Sequence, residues 1–207
     1  MEIGIASGLT CCAIAPQVKT YIGIDLSSEI LKRTEETLAN KEITNVRLEC
    51  ADAMDIDKLQ IEGQDIIILN SVLQYFPGYN YLIILLNKIL KCIKSQAIIY
   101  LGDLIDTDLV EKFMKDLNQY GKKKNNKDDL SYPKEFIKEL PAYIPEIVKV
   151  KITSKLGTIE NELKKYRYDV ILLIDKDNKH IVKHTKFQYA MQSKGFSITD
   201  ILENDII

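Results

Sequence analysis

The sequence predicts an α/β fold built on a mostly parallel β-sheet with helices on both faces. Short apolar runs of strand length alternate with helical patterns along the 207 residues, which is typical of parallel strands joined by crossover helices. Residues 65–70 contain an unbroken Ile/Leu run, as expected of a central strand that is buried on both faces. The 46% hydrophobic content is enough for the core of one domain.

The first half of the chain supplies three further strands and two helices. The strands are predicted at residues 2–5, 20–25 and 46–50, where apolar and β-branched side chains cluster or alternate. A helix over residues 9–15 ends at Pro16, which cannot continue it. A second helix begins at Ser27 or Ser28, since either hydroxyl can cap it, and continues to Asn40.

The second half continues the alternation and ends in an antiparallel pair. Helices are predicted over residues 81–93 and 109–120, with a strand at 97–102 between them, a solvated loop at 121–129 and a short helix from Pro133. Strands at 148–152 and 168–174 follow. Because residues 161–165 are too polar for a covering helix, these two strands are expected to pair antiparallel.

Composition excludes several classes of function. The chain has 28 Lys and Arg residues and 30 Asp and Glu residues, so its net charge is -2. No nucleic-acid partner is therefore predicted. No apolar run reaches the roughly 18 residues of a membrane span, and we expect a cytoplasmic protein without a membrane partner. The four cysteines include no C-x-x-C pair and have no nearby histidines, so they are interpreted as small buried residues, and no metal site is predicted.

The strongest local motif is the turn after the first strand. Its small and acidic positions follow a Glu-x-Gly-x-Ala-x-Gly pattern at Glu2, Gly4, Ala6 and Gly8. Small residues let the backbone approach a ligand, and a carboxylate at the end of the next strand, here Asp25, can accept both hydroxyls of a ribose. The motif therefore outlines a nucleoside site, although a merely tight structural turn is an alternative.

Polar residues follow the other strands at the same edge of the predicted sheet. Asp52 follows the third strand and could accept a hydrogen bond from an adenine amino group, while Asn70 and Asp103 close the next two. Alone, each is more typical of a cap or turn, but together they favour a cleft. A nicotinamide oxidoreductase would place glycine at position 9 or 10, where Leu9 and Thr10 stand.

These ordered motifs resemble those of class I S-adenosylmethionine-dependent methyltransferases. A narrower likeness lies in three blocks: Ile68–Pro77, Ile99–Asp103, and Asn161–Leu163 with Tyr166–Val170. They resemble the methyltransferase domains inserted in nonribosomal peptide synthetases. The matched blocks span about residues 1 to 175, and Ala6 departs from the glycine usual at the centre of the first loop.

The resemblance implies a Rossmann-like, seven-stranded, mostly parallel sheet with the last strand antiparallel. It implies a methyltransferase core over residues 1–175, N-terminally truncated with its N-terminal helices missing, and a tail or junction to an adenylation domain at 176–207. The implied activity is N-methylation of an aminoacyl thioester, with S-adenosylmethionine as cofactor and the carrier and adenylation domains of a synthetase as partners. Alternatives are a catalytically silent fragment or a free-standing small-molecule methyltransferase.

The resemblance also assigns residues to roles. The methionine and ribose side of the cofactor would be lined by Glu2, Gly4, Ala6 and Gly8. Asp25 would take the ribose hydroxyls, with Leu26 beside it. The adenine would be taken by Asp52 and Ala53, and Asn70 would lie near the methionine moiety. Methyl transfer to an amine needs alignment and a neutral nitrogen. Tyr75, Asp103 and Glu162 are the candidates that would accept the proton or orient the amine.

Overall fold

The computed structural model describes residues 1–119, 129–155 and 161–178. The seven strands of this part are β1 (Glu2–Ile3), β2 (Tyr21–Asp25), β3 (Val46–Cys50), β4 (Ile66–Asn70), β5 (Gln96–Ile105), β6 (Ile147–Ser154) and β7 (Arg167–Asp175). The helices are α1 (Leu9–Ile14), α2 (Ser28–Asn40), α3 (Tyr79–Lys91), α4 (Val110–Gln119), α5 (Lys134–Tyr143) and α6 (Glu162–Tyr166). The predicted loop at 121–129 falls outside the described residues except for Asp129, and so does the predicted tail beyond Asn178.

The strands form a single sheet in the order β3-β2-β1-β4-β5-β7-β6. β1 to β5 run parallel to one another, whereas β7 runs antiparallel to both β5 and β6. The predicted fold class, a seven-stranded mostly parallel sheet whose last strand is antiparallel, is confirmed. β4 occupies the central position that its apolar run predicts.

Helices cover the two faces of the sheet in separate clusters. On one face, α3 and α5 pack against β4, β5 and β7, with Leu85, Phe136 and Leu69 among the fully buried side chains. On the other face, α1 and α2 bury Cys11 and Leu31 against β2. Ser27 is the residue that caps α2, since its side chain accepts a hydrogen bond from Ile30 N. The prediction of helices on both faces is also confirmed.

One end of the central strands is less buried than their composition predicts. Ile66 of β4 and Ile98 of β5 are register partners and point to the same face. Their side chains are 45% and 40% exposed within the described part of the chain, while Ile67 on the opposite face is fully buried. The expectation that the β4 run is buried on both faces is therefore wrong for Ile66.

The polar stretch before β7 forms a short helix that the sequence did not predict, while β6 and β7 pair antiparallel as expected. Asn161 caps α6 by accepting a hydrogen bond from Lys164 N at 3.0 Å, and Tyr166 packs on Phe113 of α4 with ring centroids 4.8 Å apart. This short helix is stabilised by its cap and one aromatic contact, so its polar composition does not prevent it. None of the described helices has the length and apolar character needed to cross a membrane.

Candidate functional site

A cavity of 550 Å³ opens at the carboxyl ends of β1, β2 and β4. Such edges of open α/β sheets are where ligands bind, and the volume lies in the range of small-molecule sites. Eight of the residues singled out in the sequence line this cavity: Gly4, Ala6, Asp25, Leu26, Asp52, Ala53, Asn70 and Tyr75. The fold thus brings together side chains from four separate segments.

The turn after β1 passes very close to the loop after β4. Gly4 has φ 78, and a Cβ added there would lie 2.2 Å from Val72 Cγ1. The amides of Gly4 and Ile5 both donate to Ile24 O, at 2.8 and 3.1 Å. Only glycine accommodates both the left-handed backbone and this close approach, so the turn forms one wall of the cavity with little side-chain bulk.

Asp25 holds the opposite side of that turn. Its Oδ2 accepts a hydrogen bond from Ala6 N at 3.0 Å, and its Oδ1 accepts one from Ser27 N at 3.0 Å. Thr34 Oγ1 donates to Ala6 O at 2.8 Å, which fixes Ala6 in a left-handed conformation with φ 46. Each oxygen of the carboxylate keeps a further lone pair for a ligand hydroxyl.

Asp52 and an aromatic pair form the next part of the wall. Asp52 Oδ1 accepts hydrogen bonds from Met54 N at 2.7 Å and from Tyr81 Oη at 3.3 Å. The rings of Phe76 and Tyr81 lie 4.5 Å apart. Burial, followed by the nearby Asp52 charge, raises the pKa of Tyr81 to about 12, so its hydroxyl remains a donor at neutral pH. The wall offers the surfaces of two tilted aromatic rings, with one carboxylate beside them.

Asn70 projects from the end of β4 into space that a neighbouring glycine provides. A Cβ at Gly102 of β5 would lie 2.1 Å from Asn70 Oδ1 and 2.7 Å from Tyr100 Cε1. Gly102 is the register partner of Asn70. The absence of a side chain on β5 therefore allows Asn70 to reach the cavity.

Two predicted cofactor residues lie outside the cavity lining. Glu2 is 3% exposed, and its Oε2 accepts a hydrogen bond from Tyr21 Oη at 2.7 Å. Burial raises the pKa of Glu2, although the hydrogen bond from Tyr21 opposes this shift. Gly8 sits at the N-terminus of α1, where its amide donates to Ile5 O at 2.9 Å. In this structure both residues contribute to the architecture around the turn.

Asp103 lies behind the cavity wall in a buried cluster of charges. Its Oδ2 accepts a hydrogen bond from the Ser71 hydroxyl, and its Oδ1 lies 2.6 Å from Lys155 Nζ. Lys155 also lies 3.2 Å from Asp169 Oδ1. Burial alone would raise the pKa of Asp103, but the hydrogen bonds from Lys155 and Ser71 outweigh it and lower the pKa below its usual value.

The other two catalytic candidates occupy different surroundings. Tyr75 lines the cavity and is 70% exposed. Glu162 accepts a hydrogen bond from Arg167 Nη2 at 3.1 Å, and Arg167 Nη1 donates in turn to the Asp103 carbonyl oxygen at 3.4 Å. Glu162 is therefore linked to Asp103 through Arg167 and does not line the cavity.

Sequence reasoning missed several residues of the site. Phe76 lies within the Ile68–Pro77 block, and its position beside Tyr75 is the sequence signal for it. The sequence predicts Tyr81 at the start of a helix, which does not indicate that its hydroxyl reaches Asp52. Lys155 carries no sequence signal at all, because only the packing of β6 beside β7 brings it to Asp103.

The chain matches known proteins over most of its length. A family model described as "Methyltransferase domain" matches residues 1–169. Chondramide synthase cmdD of Chondromyces crocatus is 32% identical over 190 residues, which cover 84% of this chain and 5% of the synthase. The probable non-canonical nonribosomal peptide synthetase CymA of Salinispora arenicola is 30% identical over 180 residues, covering 83% of this chain and 2% of that protein. The chain thus corresponds to a small part of these relatives.

The fold also matches solved structures. The plantazolicin methyltransferase BamL, solved in complex with a triazolic desmethylPZN analogue and SAH, aligns with a TM-score of 0.63 at 14% identity. The alignment covers 84% of this chain and 75% of BamL. With the family match over residues 1–169, these findings confirm the resemblance, and the chain belongs to the methyltransferase domain family.

Proposed function

We propose that this chain uses S-adenosylmethionine to N-methylate an aminoacyl group held as a thioester on the carrier domain of a nonribosomal peptide synthetase. The observation that carries the proposal is the convergence of Asp25, Asp52 and Asn70 on one cavity of a methyltransferase-family fold. S-adenosylmethionine as cofactor agrees with the family match. It also agrees with the SAH, the demethylated product, in the BamL complex.

The cavity residues suit the parts of this cofactor. Asp25 is fixed by two backbone amides and can accept the ribose hydroxyls through its remaining lone pairs. Leu26, 70% exposed at the cavity edge, and the Phe76–Tyr81 pair offer apolar surfaces for the adenine ring. Asp52 lies at the same wall and can accept from the adenine amino group.

The methionine end would lie between the turn after β1 and the end of β4. Gly4 and Ala6 present backbone with little bulk on one side, and Asn70 offers an amide on the other. Bound S-adenosylmethionine supplies an electrophilic methyl group on a sulfonium. The protein then has to align the acceptor nitrogen and exclude water, since a direct displacement needs orientation more than a strong catalytic group.

The three catalytic candidates suit different tasks. Tyr75 lies at the cavity and can contact an acceptor directly. Asp103 is paired with Lys155, and its lowered pKa makes it a poor proton acceptor near neutral pH. Glu162 is held by Arg167. We therefore assign direct contact with the acceptor to Tyr75, and an indirect role to Asp103 and Glu162.

The proposed partners follow from the relatives. The two similar proteins, a chondramide synthase and a probable nonribosomal peptide synthetase, are far longer than this chain, and in a synthetase the acceptor would be delivered by a carrier domain. We assign residues 1–175 to the methyltransferase core and residues 176–207 to the junction with an adenylation domain.

Two measurements test the proposal. Calorimetry should show that SAH binds the chain, and a methyl-transfer assay should show turnover of an aminoacyl-pantetheine thioester. The matched control is the α-hydroxyacyl thioester of the same side chain, which should not be methylated. Binding of SAH without turnover of any amine would indicate a silent methyltransferase fold, and turnover of free amines with no preference for the thioester would indicate a free-standing small-molecule enzyme.

A further inference from the structure

Two strained residues meet at the back of the cavity. Ser71, directly after β4, has φ 58, and Asp103, within a bulge of β5, has φ 64. Left-handed backbone at residues other than glycine costs about 1 kcal/mol or more and tends to occur at functional sites. Here the strain is maintained by hydrogen bonds from Ser71 N to Gly102 O at 3.1 Å and from Asp103 N to Asp169 Oδ1 at 2.9 Å.

The direction of the hydrogen bond between these two side chains is fixed by charge. Asp103 is an ionised carboxylate beside Lys155, and a carboxylate can only accept. The Ser71 hydroxyl must therefore donate its single proton to Asp103 Oδ2. The remaining capacity of Ser71 Oγ is that of an acceptor, and Ser71 belongs to the cavity wall.

Lys155 keeps this arrangement in one charge state. Its ammonium lies between Asp103 Oδ1 at 2.6 Å and Asp169 Oδ1 at 3.2 Å, and its side chain is only 17% exposed. Burial opposes its charge, but the two carboxylates outweigh burial and raise the pKa of Lys155. Around neutral pH both partners remain charged, so Asp103 continues to accept the hydrogen bond from the Ser71 hydroxyl.

We infer that Ser71 Oγ accepts a hydrogen bond from the attacking amine, and that Asp103 and Lys155 are positioning residues that leave Ser71 able only to accept. The inference rests on the proposed amine acceptor. A neutral amine that donates one N–H to Ser71 has its lone pair held in a fixed direction. As that lone pair forms the N–C bond, the S–C bond breaks, its electrons stay on sulfur, and the resulting ammonium later releases a proton to solvent.

The test compares Ser71→Ala with the unaltered chain. We expect turnover of the aminoacyl-pantetheine thioester to fall about tenfold, the effect of one lost hydrogen bond, while the Kd for SAH stays within about threefold. In the SAH-loaded protein at pH 9, where the amine is neutral, a nonhydrolysable aminoacyl-pantetheine amide should also bind about tenfold more weakly. Its N,N-dimethyl analogue, which has no N–H to donate, should bind both proteins equally.

Lys155 variants test the positioning role. Lys155→Met should lower turnover about as much as Ser71→Ala does. Lys155→Arg, which keeps the positive charge, should retain most of the turnover of the unaltered chain. If Lys155→Met does not fold, Ser71→Ala and Lys155→Arg still decide the question.

Three results would overturn the inference. One is full turnover by Ser71→Ala while the unaltered chain is active, which leaves the proposed function intact. Another is a loss of SAH affinity in Ser71→Ala that is as large as its loss of turnover, which would place Ser71 in the cofactor pocket. If the unaltered chain binds SAH but methylates no amine, the proposed function and this inference fail together.

Discussion

Asp25 holds the backbone of Ala6 through a hydrogen bond of 3.0 Å from Ala6 N to Asp25 Oδ2. The carboxylate at the end of β2 therefore shapes the turn after β1 as well as offering acceptors to a ligand. Because its other oxygen accepts from Ser27 N, Asp25 cannot rotate without breaking one of these contacts. These two hydrogen bonds fix the orientation of the carboxylate, and such preorganisation reduces the entropy cost of binding a ligand.

Asp25→Ala should weaken SAH binding about 30-fold, or about 2 kcal/mol, since hydrogen bonds to a charged group are lost and the turn is released. Calorimetry at constant ionic strength measures the Kd. Glu29→Gln is the control, because Glu29 forms an exposed pair with Arg33 at 3.1 Å and should change the Kd by less than about twofold. Equal affinities for Asp25→Ala and the unaltered chain would contradict the assignment.

Ala6→Gly should stabilise the protein. Ala6 has φ 46, a conformation that costs a residue with a Cβ roughly 1 kcal/mol and glycine almost nothing. The greater freedom of glycine in the unfolded chain offsets part of this gain. We expect the free energy of unfolding to rise by up to about 1 kcal/mol, measured from urea denaturation.

The same substitution in a helix gives the control for Ala6→Gly. Ala39 is exposed in α2, and Ala39→Gly should lower the free energy of unfolding by about 0.5 kcal/mol. A destabilisation of similar size at both positions would show that the left-handed conformation of Ala6 is not the cause.

Glu2→Gln should stabilise the protein increasingly as the pH rises. The folded-state pKa of Glu2 is raised above its usual 4.5, so the folded state binds the proton more tightly than the unfolded state and loses stability as the pH rises through this window. Glutamine has no charge to desolvate and still accepts from Tyr21. The free energy of unfolding of Glu2→Gln should exceed that of the unaltered chain above about pH 4.5, and the difference should reach about 1 kcal/mol at neutral pH.

Urea denaturation from pH 4 to pH 8 measures this effect. Tyr21→Phe is the matched control, because it removes the hydroxyl that donates to the buried Glu2 carboxylate. This variant should destabilise the protein at neutral pH. If Glu2→Gln instead weakens SAH binding more than about tenfold, Glu2 contacts the cofactor as the sequence motif implies.

Gly102→Ala should displace Asn70. The new Cβ would lie 2.1 Å from Asn70 Oδ1, and we expect a loss of about 2 kcal/mol in stability from this overpacking together with weaker SAH binding. Because the clash involves Asn70, the same substitution in an Asn70→Ala background should cost less stability. Tyr100 Cε1, 2.7 Å from the added atom, would account for a residual cost, and equal costs in both backgrounds would exclude Asn70 as the main obstacle.

The fold could be predicted in detail because the hydrophobic pattern that specifies its strands and helices is local in the sequence. Strand-length apolar runs such as residues 65–70 alternate with helical periodicity, and β4 lies at the sheet centre as its composition indicates. The parallel strands then bring Asp25, Asp52 and Asn70 to one edge, since polar residues at successive strand ends become neighbours. The short helix α6 was missed because a cap and the contact of Tyr166 with Phe113 stabilise it.

The site was only partly predictable from the motifs. The small residues of the first turn predicted a close approach, and a Cβ at Gly4 would indeed meet Val72. The same motif does not reveal that the Glu2 side chain is directed toward Tyr21, away from the cavity lining. A motif gives the order of residues, whereas the face to which each side chain points depends on the strand register.

The sequence by itself determined the α/β architecture, the family and the edge of the sheet at which the cavity opens, because hydrophobic periodicity and the residues at strand ends are local features of the sequence. Only the tertiary structure decided that Lys155 lies between Asp103 and Asp169, and that Asp103 accepts the hydrogen bond of the Ser71 hydroxyl. These residues lie far apart in the sequence, and whether they contact one another depends on burial and distance. Neither quantity exists until β5, β6 and β7 are packed side by side.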